Sequence, residues 1–216
     1  MFGAVGFCRP LFLTKLTGCV IVFLVMRTLN LVLVGTTPIL LHRISRHQLR
    51  DQIASNGQTE KTLEQEVYGV MSQDEHGNPA VPVSWLWGAI RTGCSRVTVN
   101  GKQPSFFKLQ SAINLPNGHL PLRDTDNKCP VWKTYSSIQH ASPGSKRSII
   151  VVAPKFGDWR LALQISVNEQ YLDDFLLQRI LNEAGKVGIG LFHPPKKQFG
   201  QFRVSILWGE VAFGRA

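Results

Sequence analysis

Acidic side chains are scarce in this sequence. Asp and Glu number 14 against 24 Lys and Arg, which gives a formal charge of +10 and a pI near 9.8. A surface of that sign gathers phosphate-rich or otherwise anionic partners. Cysteine is also sparse. Cys8, Cys19, Cys94 and Cys129 form no close pair and have no histidines at zinc-finger spacing, which argues against a structural metal site and for reduced thiols in a cytoplasmic protein. The histidines at 42, 47, 76, 119, 140 and 193 lack a metalloprotease spacing, and no Gly-Lys-Ser/Thr phosphate loop, Gly-x-Ser-x-Gly elbow or Cys/His nucleophilic pair is present. Metal-dependent catalysis and nucleotide hydrolysis are therefore disfavoured, and no cofactor is expected. Asp124 and Asp126 could hold a cation, but a solvated turn is the simpler reading.

No long hydrophobic run is present either. The uninterrupted apolar stretch at 16–26 falls short of the ~20 residues needed to span a bilayer, and no small-residue cleavage site follows it. Residues 1–25 are read as an apolar extension ahead of a start at Met26, with a weak anchor as the alternative. A membrane partner is not expected. The 44% hydrophobic content is enough for one domain with a proper core, placed at 26–216 with an insertion at about 98–146.

The periodicities suggest an order of elements. Residues 28–35 alternate around Leu29, Leu31 and Leu33 as a strand, which Gly35-Thr36-Thr37-Pro38 ends. Arg43, Arg46, His47 and Arg50 then fall on one face of a possible helix turn. An amphipathic helix is expected at 59–68 and a polar turn region at 73–82. A second helix is expected at 83–97, with Ser84 as N-cap and Leu86, Ala89, Ile90 and Gly93 or Cys94 on its buried face. Residues 104–145 read as short strands and loops, with Asn117-Gly118 as a hairpin turn. Strands at 148–153 and 159–167 are expected to pair with each other. A helix at 171–184 capped by Gly185 follows, and then a last strand at 202–208. Without the insertions the order is strand, helix, strand, strand, helix, strand. This is an α+β, ferredoxin-like βαββαβ antiparallel sheet with one face free for a ligand.

The stretch from Gly185 to Val204 carries most of the functional signal. Gly185, Gly188 and Gly190 leave backbone amides unscreened, with Gly200 a further candidate contact, while Phe192, Phe199 and Phe202 offer flat apolar faces on which bases could stack. Lys186, Lys196, Lys197 and Arg203 supply positive charge beside them. The loop follows a helix C-terminus, whose partial charge is negative, so the helix dipole does not make it a phosphate cradle. Core packing and capping are the competing explanations for these glycines and phenylalanines. Arg43, Arg46, Arg50 and Arg91 are further candidate contacts to phosphate, each with a solvated side chain as the alternative.

Three segments together resemble the RAMP superfamily, the ferredoxin-like proteins that bind and process guide RNA in CRISPR systems. They are residues 35–42 after the first strand, residues 81–91 with the proline-initiated helix ending in Gly-Ala-Ile-Arg91, and the loop from Gly188-Ile-Gly-Leu-Phe-His-Pro194 through Phe199-Gly-Gln-Phe202. The chain also looks like small phage and mobile-element proteins carrying a Gly-Ile-Gly-x-Phe-x-Pro stretch before Phe-Gly-x-Phe. It departs from the superfamily in placing Phe192-His193-Pro194-Pro195 where an Arg or Lys is usual, and no motif fixes a catalytic histidine or aspartate. The resemblance implies RNA or single-stranded DNA as partner, within a homo-oligomer or multiprotein complex, and binding without cleavage. The alternative is a phage or mobile-element assembly protein binding acidic partners. A metal-independent ribonuclease using His42 or His193 comes third.

Overall fold

The computed structural model describes residues 26–42, 63–140, 148–191 and 198–207, with the side chains of 63, 64, 66, 138–140 and 148–150 left aside. The strands are β1 (Met26–Gly35), β2 (Ile39–Leu40), β3 (Ala80–Pro82), β4 (Ile113–Asn114), β5 (His119–Pro121), β6 (Trp132–His140), β7 (Ser148–Phe156), β8 (Arg160–Asn168) and β9 (Phe202–Leu207). The helices are α1 (Leu63–Val70), α2 (Val83–Arg96), α3 (Phe106–Ala112) and α4 (Asp174–Val187). None of the described helices is long and apolar enough to cross a membrane.

A four-stranded sheet in the order β4-β8-β1-β9 organises the chain, and every neighbouring pair in it is antiparallel. With α2 between β1 and β4, and α4 between β8 and β9, this is the ferredoxin-like α+β arrangement. Strand alternation sets its two faces. Leu29, Leu31 and Leu33 of β1 and Leu161, Leu163 and Ile165 of β8 are buried in one core with Leu86, Ala89 and Ile90 of α2 and Leu177, Ile180 and Leu181 of α4. Gly93 lets the two helices approach closely, because a Cβ there would lie 2.6 Å from the Ala184 backbone nitrogen and 2.7 Å from the Ile180 carbonyl oxygen.

The second core strand is not the expected one. Residues 148–153 lie in β7, which pairs with β6 and β2 in a separate three-stranded sheet, so they do not pair with 159–167. The place beside β8 is taken by the two-residue β4, through Ile113↔Val167 and Asn114↔Ser166. A two-residue strand has no readable alternation, whereas the Val- and Ile-rich β7 has a strong strand composition. The long β6–β7 hairpin is thus an excursion between the second and third core strands. Asn117-Gly118 is a turn, with Gly118 at a φ of 84°, but β5 after it pairs with β3 and not with β4.

Two helix ends also differ from expectation. Pro82 precedes the first turn of α2 and no side chain caps it, so Ser84 lies inside the helix. α4 starts later, where Asp173 accepts a 2.7 Å hydrogen bond from the Leu176 amide. It runs through Gly185 to a cap at Gly188. Gly185 serves packing instead, since a Cβ there would run into the Phe202 carbonyl. Cys94 and Cys129 are free thiols, and burial pushes the Cys94 thiol up from its usual pKa. Asp124 organises a turn by accepting from the Lys128 amide at 2.8 Å.

Candidate nucleic-acid interface

Two motifs distant in sequence meet at one end of the sheet. β1 ends at Gly35, and the turn after it is joined to the segment that enters β9. Thr36 donates its amide to the Gln201 carbonyl at 2.8 Å, and Gln201 donates its own to Thr37 Oγ1 at 2.9 Å. Gly200 donates to the Pro38 carbonyl at 2.8 Å, Ile189 to Gly200 at 3.0 Å, and Leu191 to Leu40 at 3.0 Å. Trp159 completes the corner with its indole nitrogen on the Thr37 carbonyl at 2.8 Å.

The glycines make this lacing possible. Gly188 and Gly200 have φ values of 78° and 69°, and a Cβ on Gly188 would lie 2.9 Å from the Gly200 carbonyl oxygen. The Gly188 amide closes the helix on the Ala184 carbonyl at 2.9 Å, and Gly188 and Gly200 are buried. Gly190 is half-buried, with a φ of 89° and the Leu40 carbonyl beneath it. Phe202 is 4% exposed and meets Trp159 edge-on, so it is a core residue and not a stacking platform. Phe199 is half-buried, with its ring edge-on to Tyr135 at 5.3 Å.

The face of the sheet opposite the helices carries the even-numbered residues of β1. Thr28, Val34, Ala162, Gln164, Arg203 and Ser205 on this face are exposed, while Asn30 is buried beside Gln164. Its chemistry changes along the strands. At the corner just described, Val34 stands between Arg160 and Arg203 in register, and Arg160 pairs in turn with Arg123 through reciprocal backbone bonds of 2.7 and 3.1 Å. Directly opposed residues of antiparallel strands share a face. Three arginines and one valine therefore cross the sheet in a single row. Like charges so placed repel one another, and an anion lying across them relieves the repulsion. Among the described residues, the ion pairs engage Arg27, His76 and Lys186 and none of these three arginines.

Of the residues singled out from the sequence, Gly188, Gly190, Phe199, Gly200 and Arg203 are brought together at this corner. Arg91 is not. It is exposed on α2, which covers the opposite face of the sheet, and its guanidinium lies 5.6 Å from the centre of the Phe106 ring. Phe192, Lys196, Lys197, Arg43, Arg46, Arg50 and His193 lie outside the described residues. Sequence reasoning passed over Arg123 and Arg160. Arg160 had a readable signal, since it is out of phase with Leu161, Leu163 and Ile165, whereas Arg123 acquires its place only through an isolated bridge. His42 is 8% exposed, and burial holds its imidazole below the usual pKa despite an opposing backbone hydrogen bond. That leaves it poorly placed to meet a strand lying on the open face.

No protein-family model and no curated protein matches the sequence. Solved structures do match the fold. A chain in the structure of type III-B Cmr-beta bound to cognate target RNA aligns with a TM-score of 0.52 at 12% identity, over 84% of this chain and 61% of that one. Cmr6 from Pyrococcus furiosus aligns over 84% of this chain and 99% of its own, with a TM-score of 0.43 at 8% identity. This chain thus spans less than two thirds of the first of these. At 12% identity the likeness is one of fold, and at that level it agrees with the RAMP resemblance read from the three motifs.

Proposed function

We propose that this protein binds RNA or single-stranded DNA without cleaving it, using the open face of its four-stranded sheet and the glycine-laced corner beside it. The row Arg123, Arg160, Val34 and Arg203 carries the reading, because it sets three arginines in one line across a face whose other residues are uncharged. Guanidinium groups suit phosphate through paired, planar donation. The fold neighbour bound to target RNA favours RNA over DNA. The formal charge of +10 adds long-range attraction for any polyanion. The glycines act here by letting the backbone fold tightly, so the side chains on the sheet are the principal contacts.

Titration of a fluorescent single-stranded RNA tests this. Binding should weaken steeply with salt, and Arg160→Glu with Arg203→Glu should lower affinity at least tenfold and flatten the salt dependence. Salt-insensitive binding, or full binding by the double variant, would overturn the proposal.

A second reading, that of an assembly subunit, is favoured by the exposed aromatics on the helical side. Tyr171, in the turn before α4, and Phe175, in its first turn, are 64% and 73% exposed, and Phe107 is 83% exposed. Such residues are common anchors of protein interfaces. Sedimentation of the purified chain, alone and with candidate acidic partners, tests it. A monomer at all concentrations that captures no partner would count against it.

A further inference from the structure

We infer that the root of the β6–β7 hairpin forms a second nucleotide contact, in which Lys133 and Lys155 hold a phosphate and Tyr135, braced by Phe199, takes the adjoining base. This deepens the proposed function and rests on it. Lys133 and Lys155 are directly opposite in the β6–β7 register, and Tyr135 is opposite Ala153. Side chains of directly opposed residues lie ~5 Å apart at Cβ on the same face, so the two ammonium groups share one patch. Residues two apart on a strand also share a face, about 7 Å apart. The lysine pair and Tyr135 are therefore neighbours on one surface, separated by about the reach of one extended nucleotide.

Neither lysine is engaged by a carboxylate among the described residues, where the ion pairs belong to Arg27, His76 and Lys186. Two like charges opposed in a ladder are a cost to the folded hairpin unless an anion lies between them. Lys133 is exposed and Lys155 half-buried, so the patch is open on one side. Tyr135 and Phe199 are half-buried, with rings 5.3 Å apart at 71°. An edge-on partner holds the Tyr135 ring in one orientation, which reduces the entropy lost when a base stacks on it. Leu40, which pairs with Lys155, also accepts the Leu191 amide, so this patch is joined to the same corner as the arginine row.

The paired charges and the ring make different demands on a ligand. Phosphate between lysines is insensitive to base identity and sensitive to salt, whereas stacking on tyrosine is tolerant of salt. A fluorescein-labelled oligouridylate titrated against the full chain separates the two. Lys133→Ala/Lys155→Ala should weaken binding by about tenfold and reduce the slope of log affinity against log salt by roughly 0.7, the value for one phosphate of a single strand. Tyr135→Leu should weaken binding by about 5- to 100-fold with the slope unchanged, while Tyr135→Phe should bind as the parent does. Ultraviolet crosslinking of a 4-thiouridine oligonucleotide to the unaltered protein should mark the peptide containing Tyr135, a readout independent of any variant's folding. Parental affinity in the lysine variant together with no crosslink on that peptide, while Arg160→Glu/Arg203→Glu remains weakened, would overturn this contact and leave the sheet reading standing. Displacement of the oligonucleotide by polyglutamate as readily as by unlabelled RNA would also overturn it. Absence of oligouridylate binding by the unaltered protein would remove both readings.

Discussion

The two faces of the four-stranded sheet are built from the same strands and have opposite chemistry. On β1, Leu29, Leu31 and Leu33 are at most 2% exposed under α2 and α4, while the alternate positions carry Thr28, Asn30, Val32 and Val34. On β8, Leu161, Leu163 and Ile165 share the core, and Arg160, Ala162, Gln164 and Ser166 face away. One face holds the domain together by removing apolar area from water, and the other offers hydrogen-bond donors and charge. Substitutions on the two faces should therefore separate stability from binding.

The largest effect is expected on the covered face, where Gly93→Val would drive a side chain into the backbone of α4. A loss of about 3 kcal/mol or more, read as a fall in the urea midpoint, is expected because neither Ala184 nor Ile180 can yield backbone space. Leu31→Ala should cost about 2–5 kcal/mol by leaving a cavity under the helices, with RNA affinity of the folded protein unchanged. On the open face, Arg160→Glu/Arg203→Glu should lower RNA affinity at least tenfold while shifting stability by only about 0.5 kcal/mol. Equal losses of stability on both faces would break the comparison.

Two smaller effects sharpen it. Asp173→Ala removes the cap of α4 and should cost about 1 kcal/mol in thermal unfolding without altering RNA affinity. His42 is held below its ordinary pKa of 6.5 by burial, so the unfolded chain takes up its proton more readily than the folded one. The contribution from His42 is present above pH 6.5 and is lost as pH falls through the window between 6.5 and the lowered value. His42→Leu should remove that part of the acid-side decline in melting temperature, and an unchanged profile would show that His42 is not its source.

The sequence revealed different parts of the molecule unequally. β1, α2, β8 and β9 follow from runs whose periods of two or 3.6 extend over several residues. β4 could not be found that way, because two residues contain no period. Gly185 reads as a cap from the sequence because a glycine near a helix end signals both capping and close packing, and only the position of Phe202 distinguishes them. At the site, Arg203 was visible as a charge in a strand after a glycine-rich stretch. Its partnership with Arg160 and Arg123 depends on register between strands far apart in sequence.

By itself the sequence determined the alternation of the core strands, the two amphipathic helices packed on them and the excess of positive charge, since each depends on local side-chain order or on a simple sum. Tertiary structure alone decided which short segment completes the sheet, how Thr36–Pro38 and the glycine loop lace together, and which basic residues share a surface. These depend on pairing across long stretches of chain, where a shift of one residue would turn every side chain of a strand to the other face.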